Sequence, residues 1–75
     1  MKQERYFRGK SYQSTTKTCK LYELSRDVVV SHAEEPEVLF LFSHIDGMYS
    51  FCETNDGWVY HPAAWCEVVL WEEVK

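Results

Sequence analysis

Seventy-five residues, 45% hydrophobic, 27% charged and 16% aromatic, leave room for one small domain and are too aromatic for a disordered tail. The net charge of −4 is uneven: six cations against Glu4 put residues 1–20 at +5, while eleven carboxylates against Arg26 and Lys75 put residues 21–75 at −9. That division excludes a uniformly basic nucleic-acid binder, and the longest run without charge or proline, 38–45, is too short to span a bilayer.

Residues 1–16 read as a basic, polar arm whose only apolar anchors are Tyr6, Phe7 and Tyr12. An edge strand or a partly mobile segment is expected there. The opening Met1-Lys2-Gln3-Glu4-Arg5 leads into no apolar stretch, so no secretory signal is expected. Electrostatically the arm is expected to fold back on its own acidic body, or simply to aid solubility, ahead of serving a ligand.

From residue 17 the signals are for strands. Residues 18–24 alternate, with Cys19, Leu21 and Glu23 on one side and Lys20, Tyr22 and Leu24 on the other. Val28-Val29-Val30 is a β-branched triplet that predicts a short strand or the stem of a loop. Ser31-His32-Ala33-Glu34 has capping-box spacing, but Pro36 limits it to one helical turn. Residues 37–43 are apolar on both faces at Val38-Leu39-Phe40-Leu41-Phe42, which marks a central strand. Ile45-Asp46-Gly47 turns the chain, and residues 48–53 alternate Tyr49 and Phe51 against Met48, Ser50 and Cys52. Asp56-Gly57 predicts a tight hairpin into a strand at 57–61. Pro62-Ala63-Ala64 interrupts with an expected 3₁₀ turn before a last strand at 65–71.

The expected fold is therefore all-β: a small barrel of five to six strands over residues 17–75 behind a basic N-terminal arm. The order of elements over about residues 17–72 resembles the Src-homology-three family. The stretch Asp56-Gly57-Trp58-Val59-Tyr60-His61-Pro62-Ala63-Ala64-Trp65-Cys66-Glu67-Val68 is its most specific part. It is similar to the family's close, in which a glycine, two apolar residues, a proline turn and an aromatic lead into the final strand. The family's ALYDY-type opening is missing, and Met48-Tyr49 stand where it has paired tryptophans. The resemblance thus implies the fold rather than a proline-peptide ligand. Gly47-Met48-Tyr49-Ser50 and Ala63-Ala64-Trp65 more faintly resemble small accessory proteins of tailed phages, which implies a host protein as partner and the host cytoplasm as the place of action.

Chemistry-bearing residues are sparse. Cys19, Cys52 and Cys66 are odd in number and lack a C-x-x-C pair, so reduced thiols in a cytoplasmic protein are expected, a Cys52–Cys66 bridge being the alternative. His32, His44 and His61 show no zinc-ligand spacing, and Cys52 with His61 lacks a third orienting group. No metal, cofactor or enzymatic activity is expected. The aromatic surplus of the second half points instead to an exposed binding surface of Tyr49, Trp58, Tyr60 and Trp65, with Glu34 and Glu35 in an acidic rim that favours a basic protein partner. Core filling is the alternative use of those aromatics. Trp65 corresponds in place to the family's groove-lining aromatic. The alternative functions are nucleic-acid binding through Lys2, Arg5, Arg8 and Lys10, and self-association of a monomer or small homo-oligomer through an edge strand.

Overall fold

A computed structural model describes residues 4–75 of the chain. Seven strands form one curled antiparallel sheet: β1 (Glu4–Phe7), β2 (Lys10–Lys20), β3 (Val28–His32), β4 (Glu35–Asp46), β5 (Tyr49–Thr54), β6 (Val59–Tyr60) and β7 (Glu67–Glu73). Their order across the sheet is β1-β2-β7-β3-β4-β5-β6. The chain is all-β as expected, but with seven strands rather than five or six. The difference arises in the basic arm. Phe7 pairs with Lys10 across a two-residue turn in which Arg8 and Gly9 both take positive φ, 51° and 81°. That is the backbone of a type I′ hairpin, whose twist suits the flanking strands. The arm is therefore a hairpin with β1 at the sheet edge. Lys2 lies outside the described residues. β2 continues through residues 16 and 17, bending at a bulge between Ser14 and Thr18, where Thr16 has φ 62° and Thr15 Oγ1 donates to the Leu70 carbonyl.

Alternation along the paired strands sorts the apolar side chains onto two faces, and both are buried. One face gathers Leu21, Val30, Phe40, Phe42, Cys52 and Val68, with Cys19, Leu70 and Tyr60 against them. The other gathers Phe7, Val29, Leu39 and Trp71, with Tyr12, Leu41 and Val69. The second cluster exists because the β1–β2 hairpin folds across β3 and β4. Arg5 pairs with Glu37 at 3.6 Å, and Arg8 with Glu53 at 3.0 Å. The Arg8 guanidinium also donates to the Thr54 carbonyl, while its backbone N–H donates to Asn55 Oδ1 at 2.8 Å.

A non-glycine residue held at positive φ costs about 1 kcal/mol or more. At residue 8 that strain is offset by the side-chain contacts that clamp the hairpin tip to the β5–β6 turn. Arg8→Ala keeps the strain and loses the clamp, so it is expected to lower stability by about 1 kcal/mol. Arg8→Gly loses the clamp but relieves the strain and should come out near neutral. Urea unfolding of the two variants checks the sign; equal losses would mean the strain is negligible.

Three local expectations are corrected. Residues 21–24 do not extend the preceding strand: Leu21–Glu23 form a 3₁₀ turn, with Glu23 Oε1 accepting from the Lys20 N–H at 2.8 Å. Ser31-His32-Ala33-Glu34 is no helical turn but the β3–β4 hairpin turn, with His32 opposite Glu35. Pro62-Ala63-Ala64 makes no 3₁₀ turn. The Pro62 carbonyl accepts both the N–H and the hydroxyl of Ser50, each at 2.8 Å. At Asp56-Gly57 the expected tight hairpin forms, closing on three residues. Gly57, at φ 90°, donates to the Thr54 carbonyl, and Thr54 in turn donates to Trp58.

Candidate functional site

The segment between β6 and β7 closes one end of the barrel by single backbone bonds rather than by a ladder. Ala63 bridges to Tyr49. The Ala64 N–H donates to the Met48 carbonyl at 2.9 Å, and the Ala64 carbonyl accepts from the Tyr22 N–H at 3.0 Å. Cys66 then donates to the Ala63 carbonyl, closing a turn over Ala64 and Trp65. Ala64 itself is buried, so three separate stretches of chain converge on one small residue.

Each of those stretches carries a large side chain into solvent: Tyr22 is 59% exposed, Met48 64%, Tyr49 55% and Trp65 54%. Exposed large apolar side chains are ordinary when scattered. Here four of them stand on stretches of backbone that meet at one junction, and exposed apolar side chains concentrated at one end of a fold are a feature of interaction surfaces. Asp46 borders it, pairing with Tyr49 across the Gly47-Met48 turn, whereas Glu23, next to Tyr22 in sequence, turns back to accept the Lys20 N–H and lines a cleft with Lys17 and Trp71. Beyond Trp65 the border continues through Glu67, whose carbonyl accepts from the Ala33 N–H at 3.0 Å. That bond brings in Glu34 and Glu35, which with His32, Cys66 and Glu67 line a cleft of about 370 Å³.

The structure therefore brings Tyr49 and Trp65 to one end of the barrel, with Glu34 and Glu35, both exposed, on the side beyond Glu67. Trp58 is 74% exposed but lies past the far end of β5, five residue steps or about 17 Å from Tyr49. Its neighbours are Thr54, whose hydroxyl accepts from the Trp58 N–H, and the Asn55 turn that receives Arg8.

Tyr60 requires a correction. In the β5–β6 pairing Tyr60 stands opposite Cys52 and Val59 opposite Glu53, so Tyr60 turns inward and Val59 outward. The Tyr60 ring meets Phe40 edge-on at 5.6 Å, and its hydroxyl lies 3.3 Å from His32 Nε2. Burial, aided by the nearby Cys52, holds that hydroxyl's pKa well above the ordinary tyrosine range. Tyr60 packs half-buried against the first cluster and is not part of the exposed surface.

Tyr22 and Met48 were not among the sequence candidates. Met48 follows Gly47 in a turn, a position that favours exposure. Nothing local marks Tyr22, because it reaches the patch only through the bond between its own N–H and a carbonyl 42 residues later.

Arg5, Arg8 and Lys10, the described basic residues of the alternative reading, are already partnered. Arg5 and Arg8 pair as described, and Lys10 lies 3.9 Å from Glu73. The arm does fold back on the acidic body. Among the described residues no group of three His, Cys, Asp or Glu side chains is placed to hold a metal, and no helix is long and apolar enough to cross a membrane. Cys52 and His61 face apart. Cys52 is buried with its sulfur 3.4 Å from Ser50 Oγ, whereas His61 is exposed, Nδ1 donating to the Ser50 carbonyl and its ring edge-on to Phe51.

All three thiols are free. Burial pushes the Cys52 thiol up from 9.0 to about 11. The unfolded chain releases this proton near pH 9 and the folded chain only near pH 11, so the stabilisation is complete below pH 9 and is lost as pH rises toward 11. A decline of roughly 2 kcal/mol over that window is expected. It should shrink in Cys52→Ala when urea midpoints are followed against pH, with the variant's general loss of stability subtracted at pH 7.

Compared with known proteins, the chain matches no family model, no curated protein and no solved structure.

Proposed function

We propose that the chain is a non-catalytic protein-binding module that docks a partner through the aromatic end formed by Tyr22, Met48, Tyr49 and Trp65. The observation that carries this reading is their convergence on Ala64 with all four side chains more than half exposed. Folding does not need these side chains in water, and aromatic and methionine side chains are enriched where proteins meet. The barrel beneath supplies a rigid platform, so little order has to be gained on docking. The small Src-homology-three-like barrel is the scaffold of this reading. The resemblance to phage accessory proteins makes the partner a host protein, met in the host cytoplasm, whose activity docking would block or redirect.

Trp65→Ala and Tyr49→Ala are expected to leave stability within about 0.5 kcal/mol of wild type, since neither ring is buried. Each should weaken partner binding about tenfold or more if it is an anchor of the interface. Affinity capture from host extract with wild type and the two variants side by side, scored by mass spectrometry alongside thermal melts, checks this. Capture unchanged by both substitutions would remove the site; unfolding of either variant would place its ring in the core.

A further inference from the structure

We infer that the cleft where β3 parts from β7 is a binding site for a small uncharged molecule with an apolar body and an acceptor oxygen. This goes beyond the docking reading above, since none of Met48, Tyr49 and Trp65 lines that cleft. Its origin lies in the sheet. The β3–β7 pairing ends at Val30 and Leu70, although β3 begins at Val28 and β7 runs on to Glu73. On the other side of Leu70, β2 bulges between Ser14 and Thr18, and the Thr15 hydroxyl takes the Leu70 carbonyl in place of a ladder bond. The cleft so opened measures about 500 Å³, within the range of small-molecule sites. Its apolar lining draws on both clusters: Cys19, Leu24, Val28 and Leu70 from the first, Val29 and Trp71 from the second.

The backbone around the cleft is strained. Thr16, at φ 62°, stands between the lining residues Thr15 and Lys17, and Asp27, at φ 59°, stands just before Val28. A β-branched residue at positive φ is a conformational outlier, and strain of this kind gathers at ligand clamps.

The rim selects the charge of the ligand. Lys17 and Glu23 both stand on it, so an anion meets Glu23 and a cation meets Lys17. Of the charges next to it in sequence, Arg26 and Asp27 offset each other, and Lys20 stands opposite Glu67 in the β2–β7 ladder. Glu23 already accepts the Lys20 N–H. Lys17 has no carboxylate within ion-pair distance among the described residues, which leaves its ammonium and the Ser25 hydroxyl as donors for a ligand oxygen.

The test is an NMR titration of the full chain with acetylnaphthalene, naphthoate and naphthylmethylammonium, which share a ring body and differ in charge. Acetylnaphthalene is expected to shift the amides of Cys19, Leu24 and Leu70 and the indole N–H of Trp71, with a Kd of about 100 µM. It should bind about tenfold or more tighter than either ion, and the indole signals of Trp58 and Trp65 should stay in place. Ser25→Trp, at an exposed position, should fill the mouth, melt like wild type and weaken binding about tenfold or more. Lys17→Met should weaken the ketone about threefold and let the ammonium probe gain.

No shift at these positions below about 1 mM ketone would overturn the site. Equal binding of the three probes would overturn the selection of an uncharged ligand. Shifts centred on Tyr22, Met48, Tyr49 and Trp65 would overturn the placement, as would binding that survives both substitutions unchanged.

Discussion

Phe40→Ala is expected to bring the protein to the edge of unfolding at 25 °C. Phe40 is 1% exposed and sits on β4, with Val30 opposite it on β3 and Thr54 opposite it on β5. Its ring lies 4.6 Å from that of His32 and edge-on to Tyr60. Removing a buried phenylalanine costs about 3–5 kcal/mol through lost transfer energy and the cavity left behind. Native domains hold roughly 0.05–0.15 kcal/mol per residue, which for this length is about 4–11 kcal/mol in all. The cavity cannot close cheaply, because β4 is hydrogen-bonded on both sides and cannot move inward without breaking two ladders. Phe40→Leu restores most of the volume and should recover more than half of the loss. Urea unfolding followed by far-UV circular dichroism measures both; a Phe40→Ala loss under 1 kcal/mol would mean this face of the sheet is not the core.

The second large effect is expected at Trp71, on the other face. Its indole Nε1 donates to Ser31 Oγ at 2.8 Å, and Ser31 is fully buried. Trp71→Phe keeps an aromatic ring but leaves the serine hydroxyl without that donor and opens space beside Phe7 and Leu39. A loss of about 2–3 kcal/mol follows from the unmatched polar group and the smaller ring together. Ser31→Ala alone removes the acceptor and leaves the indole N–H buried without it, at about 1–2 kcal/mol. The double variant removes both partners and should lose less than the sum of the singles, by about 1 kcal/mol. Strict additivity in a urea double-mutant cycle would show that the bond contributes nothing beyond packing.

How far this architecture is legible in the sequence depends on how local its cause is. The run Val38-Leu39-Phe40-Leu41-Phe42 announces a strand buried on both faces, and β4 is that strand. Alternation at residues 48–53 correctly separates buried Ser50 and Cys52 from exposed Tyr49 and Phe51. The arm's hairpin was not legible, because Arg8-Gly9 lacks the Asn-Gly or Asp-Gly signature and relies on distant Glu53 and Asn55 to hold Arg8 at positive φ. The alternation at 18–24 suggests more strand, yet the chain turns at 21–23 because Leu21 and Tyr22 are bonded to Cys66 and Ala64. The candidate site divides the same way. Exposure of Tyr49 follows from local alternation, and that of Trp65 from the break in the strand at Pro62 and the turn after it. The inward turn of Tyr60 depends on whether it or Val59 opposes Cys52, a matter of register that no local signal encodes.

The position of β7 also bears on how the molecule comes into being. The strand made after the other six, β7, is the one between β2 and β3. Until residues 67–73 have left the ribosome, β2 and β3 each present an unsatisfied edge, and neither apolar cluster has Val68 or Trp71 to close it. Folding is therefore expected to wait for β7 and to be slow for a unit this small, since its decisive pairings join residues about 40 to 60 positions apart. A nascent chain stalled short of residue 67 should remain protease-sensitive, and one extended well past residue 75 should not.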